Sequence, residues 1–517
     1  MRIAICNIKM PIIHNEEDVI RTAQDMVRSD CIFAKNFEIY KQSLDARRKG
    51  NIHYVYTVTA EADTVSGHSD NIKVIKDDDA IKIPEKALKS RPVVVGSGPC
   101  GLFAAYVLAE SKNPPIILER GDCVDIRAEK IKRFWEGGTL DKNSNIQFGE
   151  GGAGTFSDGK LTTRIGDIRQ RFVLETFVKF GAPKDILYKA KPHIGTDVLR
   201  CVIKNMREYL KENGAEIRFN SCVTGFEIKN NKLKSVTVNG SERLECDRLI
   251  LATGHSCRDT YEEIVRLGID VEPKAFAIGV RIEHSQKFID MLQYGNVKGL
   301  PPADYRVVHN GKDRSCYSFC MCPGGTVVNA SSEEGMLAVN GMSNHMRDGE
   351  NANSALVVTV GPNDYKNGVL GGVEFQRKYE RLSFLTGGGN NSAPVQLARD
   401  FMKNRPSERI DNVKPSVASG YLPTDLRKCL PKYVSDTLSD GLSDFERRLN
   451  GFASGGAVLC GIESRTSAPV RIIRNEGLQC PKALGIYPSG EGAGFAGGIM
   501  SAAIDGIRCA FAILDEN

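Results

Sequence analysis

"VVVGSGPCGLFAAYVLAE", residues 93–110, places three apolar β-branched residues before Gly96-Ser97-Gly98-Pro99-Cys100-Gly101 and a small-residue helix after them. Strand, glycine turn and helix in that order form a dinucleotide fingerprint. Each glycine has a physical role. Gly96 permits the tight turn, Gly98 lets the backbone approach a pyrophosphate, and Gly101 lets the helix pack close on the strand. The helix N-terminus that begins at Pro99 offers free N–H groups and a partial positive charge to an anion. The next apolar strand, in "PPIILERG" (114–121), ends at Glu119. That is about twenty residues on, where a carboxylate at a strand tip accepts hydrogen bonds from an adenosine ribose.

The 517-residue chain is long enough for two or three domains and carries a net charge of +5, from 69 basic and 64 acidic residues. So near-neutral a balance gives no basic footprint, and nucleic acid is not an expected partner. The fifteen cysteines lack regular spacing, and "MRIAICNIKMPIIHNEED" has no charged region followed by a continuous apolar run. A reduced, cytoplasmic setting is therefore expected. No apolar stretch reaches the eighteen or so residues that span a bilayer, so the expectation is a soluble protein without a membrane span.

Patterning divides the chain into four parts. Residues 1–90 read as a small ferredoxin-like α/β module, with an opening strand, a helix through "EDVIRTAQDMVRS" and the alternating "IHYVYTVTAEAD". Residues 91–266 hold the first part of the nucleotide fold. There, "GAEIRFNSCVTGFEIKNNKLKSVTVNGSERLECDRLILATG" (214–254) predicts a three-stranded meander and a buried strand ending at Thr253-Gly254. Residues 267–450 read as an inserted α+β substrate domain. Residues 451–517 return to the nucleotide fold, with Gly490-Glu491, Gly497-Gly498 and a small-residue helix from Ile499, a second helix N-terminus. The fold class is thus α/β: a split Rossmann-like domain with a parallel sheet, an insertion and an N-terminal module.

These segments together resemble the FAD-binding fold of the glutathione-reductase type. "SLDARRKGNIHYVYTV", "SNIQFGEGGAGTFSDGKL", "FAIGVRIEHSQ", "FCMCPGG", "NGMSNHMRDGENANSA" and "ESRTSAPVRI" resemble, more closely, an uncharacterised bacterial family of FAD-dependent dehydrogenases. The resemblance implies FAD as cofactor, with Gly96, Gly98, Pro99 and Gly101 at the pyrophosphate and Glu119 on the ribose. It further implies Arg120 or Arg127 near phosphate, Val223 offering its backbone to adenine, and Thr253 and Gly254 beside the cofactor. Gly490 and Glu491 fall where related flavoproteins carry Asp for the ribityl chain. Gly497, Gly498 and Ile499 would point amides at the flavin pyrimidine edge.

The chemistry has four candidate locations. "GEGGAGTFSDGKL" (149–161) is too rich in glycine for a regular element, and its Gly151, Gly152 and Ser157 are expected against the flavin, with Lys160 as its one cation. "FAIGVRIEHSQ" puts Arg281 and Glu283 on one strand face with His284 following, which reads either as an edge-strand ion pair or as an anion site with a proton relay. In "CYSFCMCPGG", Cys320 and Cys322 are spaced C-x-C, and a fourth ligand for a metal is missing nearby. Small structural residues and a thiol working beside the flavin are the remaining readings. "NGMSNHMRDGENANSA" adds Asn340, Ser343, His345 and Arg347, a ligand-binding cluster or a hydrogen-bonded loop.

An FAD-dependent oxidoreductase passing hydride between flavin N5 and an anionic small-molecule substrate unites these features. Outside the FAD segments no second strand-bounded G-x-G-x-x-G is present, so NAD(P)H would act as a transient donor at the open flavin face, or a protein electron carrier would serve. The alternatives are an RNA-associated flavoprotein, resting only on "DARRKGN" (45–51), and a flavin redox sensor without turnover.

Overall fold

Val93–Val95, which leads into the glycine turn, is the middle strand of a five-stranded sheet ordered Ile486–Pro488, Leu249–Leu251, Val93–Val95, Ile116–Leu118, Glu216–Arg218. The computed structural model describes residues 1–517 except 31, 64–69, 77–80, 164–165, 367 and 517. All four pairings are parallel. Both faces are covered, so the inner strands read as unbroken apolar runs (VVV, IIL, LIL) rather than alternating ones. Two helices, Pro99–Glu110 and Ile499–Asp515, meet at backbone contact on this sheet, for a Cβ on Gly506 would collide with the carbonyl of Cys100. Their closeness brings two helix N-termini from opposite ends of the chain to one place. Val223–Lys229, Lys232–Val238 and Glu242–Glu245 form the separate three-stranded meander, turning through Asn230 and Asn231, both left-handed at φ 53° and 56°.

The insertion builds a seven-stranded mixed sheet ordered Val308–Asn310, Ser315–Cys322, Asn351–Val360, Phe276–Ser285, Val458–Glu463, Ala393–Leu397, Tyr421–Pro423. Val458–Glu463 comes from beyond residue 450 and pairs with Phe276–Ser285, so the sheet extends past the boundary expected at 450. Phe276–Ser285 is central and buried along nine of its ten positions. It is not the edge strand entertained for Arg281 and Glu283.

At the N-terminus, Ala34–Asp45, His53–Ala62, Arg2–Met10 and Ile72–Ile75 form an antiparallel sheet in that order. One helix, Glu16–Ser29, follows the first of these strands in the chain, with a capping box between Asn15 and Asp18. The Asp45–Arg47 pair is exposed on the arginine side. Backbone bonds from Gln42 N to Tyr188 O (2.7 Å) and from Ala190 N to Gln42 O (2.8 Å) tie this module to the rest. Among the described residues no helix is long and apolar enough to cross a membrane.

Candidate functional site

Gly96, Glu119, Ala252 and Ser489 each follow directly on a strand of the parallel sheet, and all four line one cavity of about 370 Å³. The cavity therefore opens at the carboxyl ends of the strands, where α/β sheets hold ligands. Gly98, Pro99, Arg120, Gly152, Ser157, Val223, Thr253, Gly254, Glu491, Gly497, Gly498 and Ile499 line it too. From the insertion come Phe319, Cys320, Asn340, Glu463 and Arg465.

The turn 96–101 is shaped by steric necessity. Gly96 sits at φ +97°, and a Cβ on Gly101 would collide with the Gly96 carbonyl. Gly101 therefore serves helix packing and does not face the cavity. Gly98 caps the first helix without a side chain, and Gly498 does the same for the second, with no acidic residue in either first turn. Both N-termini thus leave N–H groups and positive dipole ends at the cavity wall. A Cβ on Gly254, Gly497 or Gly498 would meet nothing within 4 Å. These are bare backbone surfaces facing open space.

Glu119 is buried, and its carboxylate accepts from Ser97 N (2.9 Å), Ser97 Oγ (2.7 Å), Gly121 N (2.9 Å) and Gly149 N (3.1 Å). Three of the four donors are backbone, so the acid holds the turn and the glycine loop together while facing the cavity. Arg120 stands over the Phe148 ring at 4.3 Å and pairs with Asp259 at 2.8 Å. Arg127, expected near phosphate, is instead fully buried. It donates to the carbonyls of Asn145, Ile146, Gly149, Glu150 and Gly152 and so organises the glycine loop from behind. Gly151 and Gly490 also sit behind the wall. A Cβ on Gly151 would strike Thr155, and Gly490 N donates to Asp505 Oδ2 at 2.8 Å.

At the wall shared with the insertion, Asp158 of the glycine loop is buried between Lys160 (3.6 Å) and Arg347 (2.7 Å) and accepts from Ser343. Ser343 and Arg347 therefore dock the loop, as the hydrogen-bonded reading of that cluster anticipates. His345 likewise bonds inward, to Asp197 through its N–H and to Ile194 O through its ring. Asn340 alone of the four reaches the cavity.

Cys320 lies at a β-bulge between Phe319 and Cys322 with φ +45°. Arg281, wholly buried beneath it, donates to Cys320 O (2.7 Å), Glu463 (2.9 Å) and Asn353 (2.8 Å) and stands 3.7 Å from Cys322 Sγ. A hydrogen bond from Cys322, with Lys160 and Arg281 nearby, holds the Cys320 thiol well below its ordinary value against the opposing effect of burial. Cys322, as the donor and buried, is pushed well above it. Arg281 and Cys322 support this wall without reaching the cavity.

Glu283 and His284 are not part of the site. Glu283 accepts from Asn351 (2.9 Å) and from Ser416 N (3.1 Å) inside the insertion. His284 bonds Phe452 O at 2.7 Å among Phe288, Tyr305 and Phe452, and burial lowers it to about 4. A central strand with both faces packed buries them on either side of the sheet, so the proton relay with Arg281 does not exist.

Among the cavity residues that the sequence reading did not single out are His255, Glu463 and Arg465. Glu380, from the Gly371–Thr386 helix, is wholly buried and takes Arg258 (2.8 Å) and Arg465 (2.8 Å), joining the nucleotide fold to the insertion. The two guanidiniums outweigh burial and hold it below the usual carboxylate range. Burial, aided by Arg465 and Arg258, lowers His255 to about 4. His255 stands directly after Ala-Thr-Gly, a positional signal the sequence did carry. Among the described residues no group of three or more His, Cys, Asp or Glu side chains is placed to hold a metal.

A parallel sheet entered by three chain segments, two uncapped helix N-termini and an acid at the second strand tip define a dinucleotide-binding protein of the flavoprotein class. Residues 275–466 match the family model "FAD-dependent protein, C-terminal domain-like", and residues 2–61 match "Domain of unknown function (DUF8436)". An "Uncharacterized protein" of Clostridium beijerinckii (strain ATCC 51743 / NCIMB 8052) is 50% identical over 492 residues, covering 93% of this chain and 92% of that protein. The chain belongs to the same family as that protein, an FAD-dependent one. Among solved structures, CtdE in complex with FAD shares 14% identity at a TM-score of 0.32, covering 81% of this chain and 83% of its own. Flavin-dependent brominase Bmp2 shares 12% at 0.38, covering 82% and 78%. The residues present fit the cofactor. Bare glycine walls that a Cβ would fill, two helix N-termini and a buried carboxylate at a strand tip lie in one cavity.

Proposed function

We propose that the chain is an FAD-dependent oxidoreductase, passing hydride between flavin N5 and a small anionic organic substrate held under the insertion. The observation that carries this is a single cavity with two kinds of wall. One is glycine backbone and helix N-termini, suited to a dinucleotide; the other, shared by glycine loop and insertion, holds Lys160, Cys320 and Asn340. When bound, FAD supplies the two-electron acceptor. Ser97 Oγ is the one donor to Glu119 that is not backbone, so a ribose hydroxyl takes its place at least cost to the turn.

The chain's own groups supply charge and protons. Lys160 favours an anion at the wall. Burial raises both Glu463 and Glu491 to about 7, so each holds or releases a proton near neutral pH. With no second dinucleotide fingerprint, a nicotinamide would enter from the substrate side as a transient donor.

The test is an absorption spectrum of the purified protein followed by anaerobic titration with NADH and then NADPH. Bands near 375 and 450 nm are the expected signature of oxidised flavin; their absence after reconstitution with FAD overturns the reading. Bleaching by one nucleotide assigns the donor. A flavin that stays oxidised with both points to a reducing substrate or a protein electron carrier.

A further inference from the structure

Cys320 and Cys322 are the thiols that the proposed hydride transfer does not use. Among the described cysteines lining the cavity, Cys100 donates to Ser489 Oγ at 3.0 Å, and burial pushes its thiol well up. Cys320 differs in every respect. It faces the cavity from a bulge at φ +45°, the Cys322 thiol donates to its backbone carbonyl at 3.4 Å, Arg281 stands 3.7 Å from Cys322 Sγ, and Lys160 lines the same cavity wall. Glu491, on the lining of the same cavity, also feels its charge. Two cations beside two thiols, Lys160 paired with Asp158 at 3.6 Å and Arg281 with Glu463 at 2.9 Å, make a site that favours a thiolate.

We propose that Cys320 and Cys322 form a second two-electron redox couple in this cavity, exchanging electrons with the flavin. This deepens the reading above and rests on it. The Cys320 thiolate and the Cys322 S–H lose two electrons and one proton as the Sγ–Sγ bond forms, and oxidised flavin takes up both electrons and that proton. The reverse breaks the disulfide, returning the thiolate to Cys320, where Lys160 stabilises it, and the proton to Cys322. A C-x-C ring is small and strained, so such a disulfide is readily reduced. The couple gives the site a place to hold an electron pair between a donor and an acceptor that never meet.

Two readouts test this, on wild type and on C316S, C320S and C322S. Protein treated with diamide is digested with trypsin, whose peptide 315–347 contains all three cysteines. The expected result is a loss of about 2 Da, one disulfide, in wild type and C316S and none in C320S or C322S. The same oxidised holoproteins are titrated anaerobically with dithionite while flavin absorbance is followed. Wild type and C316S should consume twice the electron pairs per flavin that C320S and C322S consume. A disulfide that persists in C320S or C322S, or none in wild type, overturns the couple. Equal uptake of one pair in all four overturns it alone, whereas failure to bind FAD overturns both this and the proposed function.

Discussion

Gly149 N donates to Glu119 Oε1 at 3.1 Å, so the glycine loop hangs from the acidic tip of the second strand. One carboxylate therefore serves both the fold and the ligand. In Glu119→Gln the new amide N–H₂ replaces one acceptor and faces backbone donors that stay buried. Each donor left unpaired costs about 1–3 kcal/mol. The expected outcome is a lower denaturation midpoint in the FAD-free protein and a lower ratio of 450 nm to 280 nm absorbance after reconstitution. An unchanged midpoint would show that Glu119 does not carry the loop.

The glycines of the opening turn separate into two kinds. Gly98 has ordinary backbone angles, and a Cβ there meets Gly152 Cα at a tolerable 3.6 Å, whereas Gly101 has no room at all. Gly98→Val should fold, with wild-type far-ultraviolet circular dichroism, yet fill the cavity and reduce bound flavin about tenfold. Gly101→Ala should lose soluble protein altogether, since its methyl overlaps the carbonyl of Gly96 in the turn. Equal flavin content in Gly98→Val and wild type would remove the pyrophosphate from this turn.

Glu491 sets a pH dependence whose sign follows from its environment. Burial raises it from 4.5 to about 7 in the folded chain. Between those values the folded state keeps a proton that the unfolded state has released. Stability of the FAD-free protein therefore falls as pH rises from about 4.5 to about 7 and is level above, by at most about 3 kcal/mol for this group. Glu491→Gln cannot titrate. It should match wild type near pH 4 and exceed it at pH 8, as read by thermal unfolding at both values. A variant no more stable than wild type at pH 8 would place Glu491 in a solvated setting.

The nucleotide fold was legible because its signals are local. The glycine turn, Glu119 at its fixed spacing and the Ala-Thr-Gly strand end are each dictated by backbone sterics within a few residues. The insertion was less legible because its side chains take their roles from tertiary packing. "FAIGVRIEHSQ" alternates like a half-exposed strand, yet Asn351–Val360 and Val458–Glu463 flank it, and Arg281, Glu283 and His284 are all buried. Arg127 misled for the same reason. A guanidinium near a glycine loop suits phosphate, and five backbone carbonyls suit it equally well once the loop wraps around it. The Glu380 link between Arg258 and Arg465 spans three distant segments, so no spacing rule announces it.

Lys160 tests whether the electrostatics at Cys320 are as the geometry implies. Its ammonium lines the cavity with Cys320 and pairs with Asp158 at 3.6 Å, while Arg281, behind the wall, pairs with Glu463 at 2.9 Å. Lys160→Met keeps the side chain's length and removes its charge. The thiolate fraction of Cys320 at neutral pH should fall, because a cation that favours the thiolate is lost while Arg281 stays paired with Glu463. Alkylation by iodoacetamide follows the thiolate, so its rate at Cys320 in the FAD-free protein at pH 7 should drop about tenfold, read by mass spectrometry of the 315–347 peptide. Raising the pH should restore it, since the variant thiol still ionises, only later. A rate that fell at every pH would mean lost access to the thiol and not lost charge.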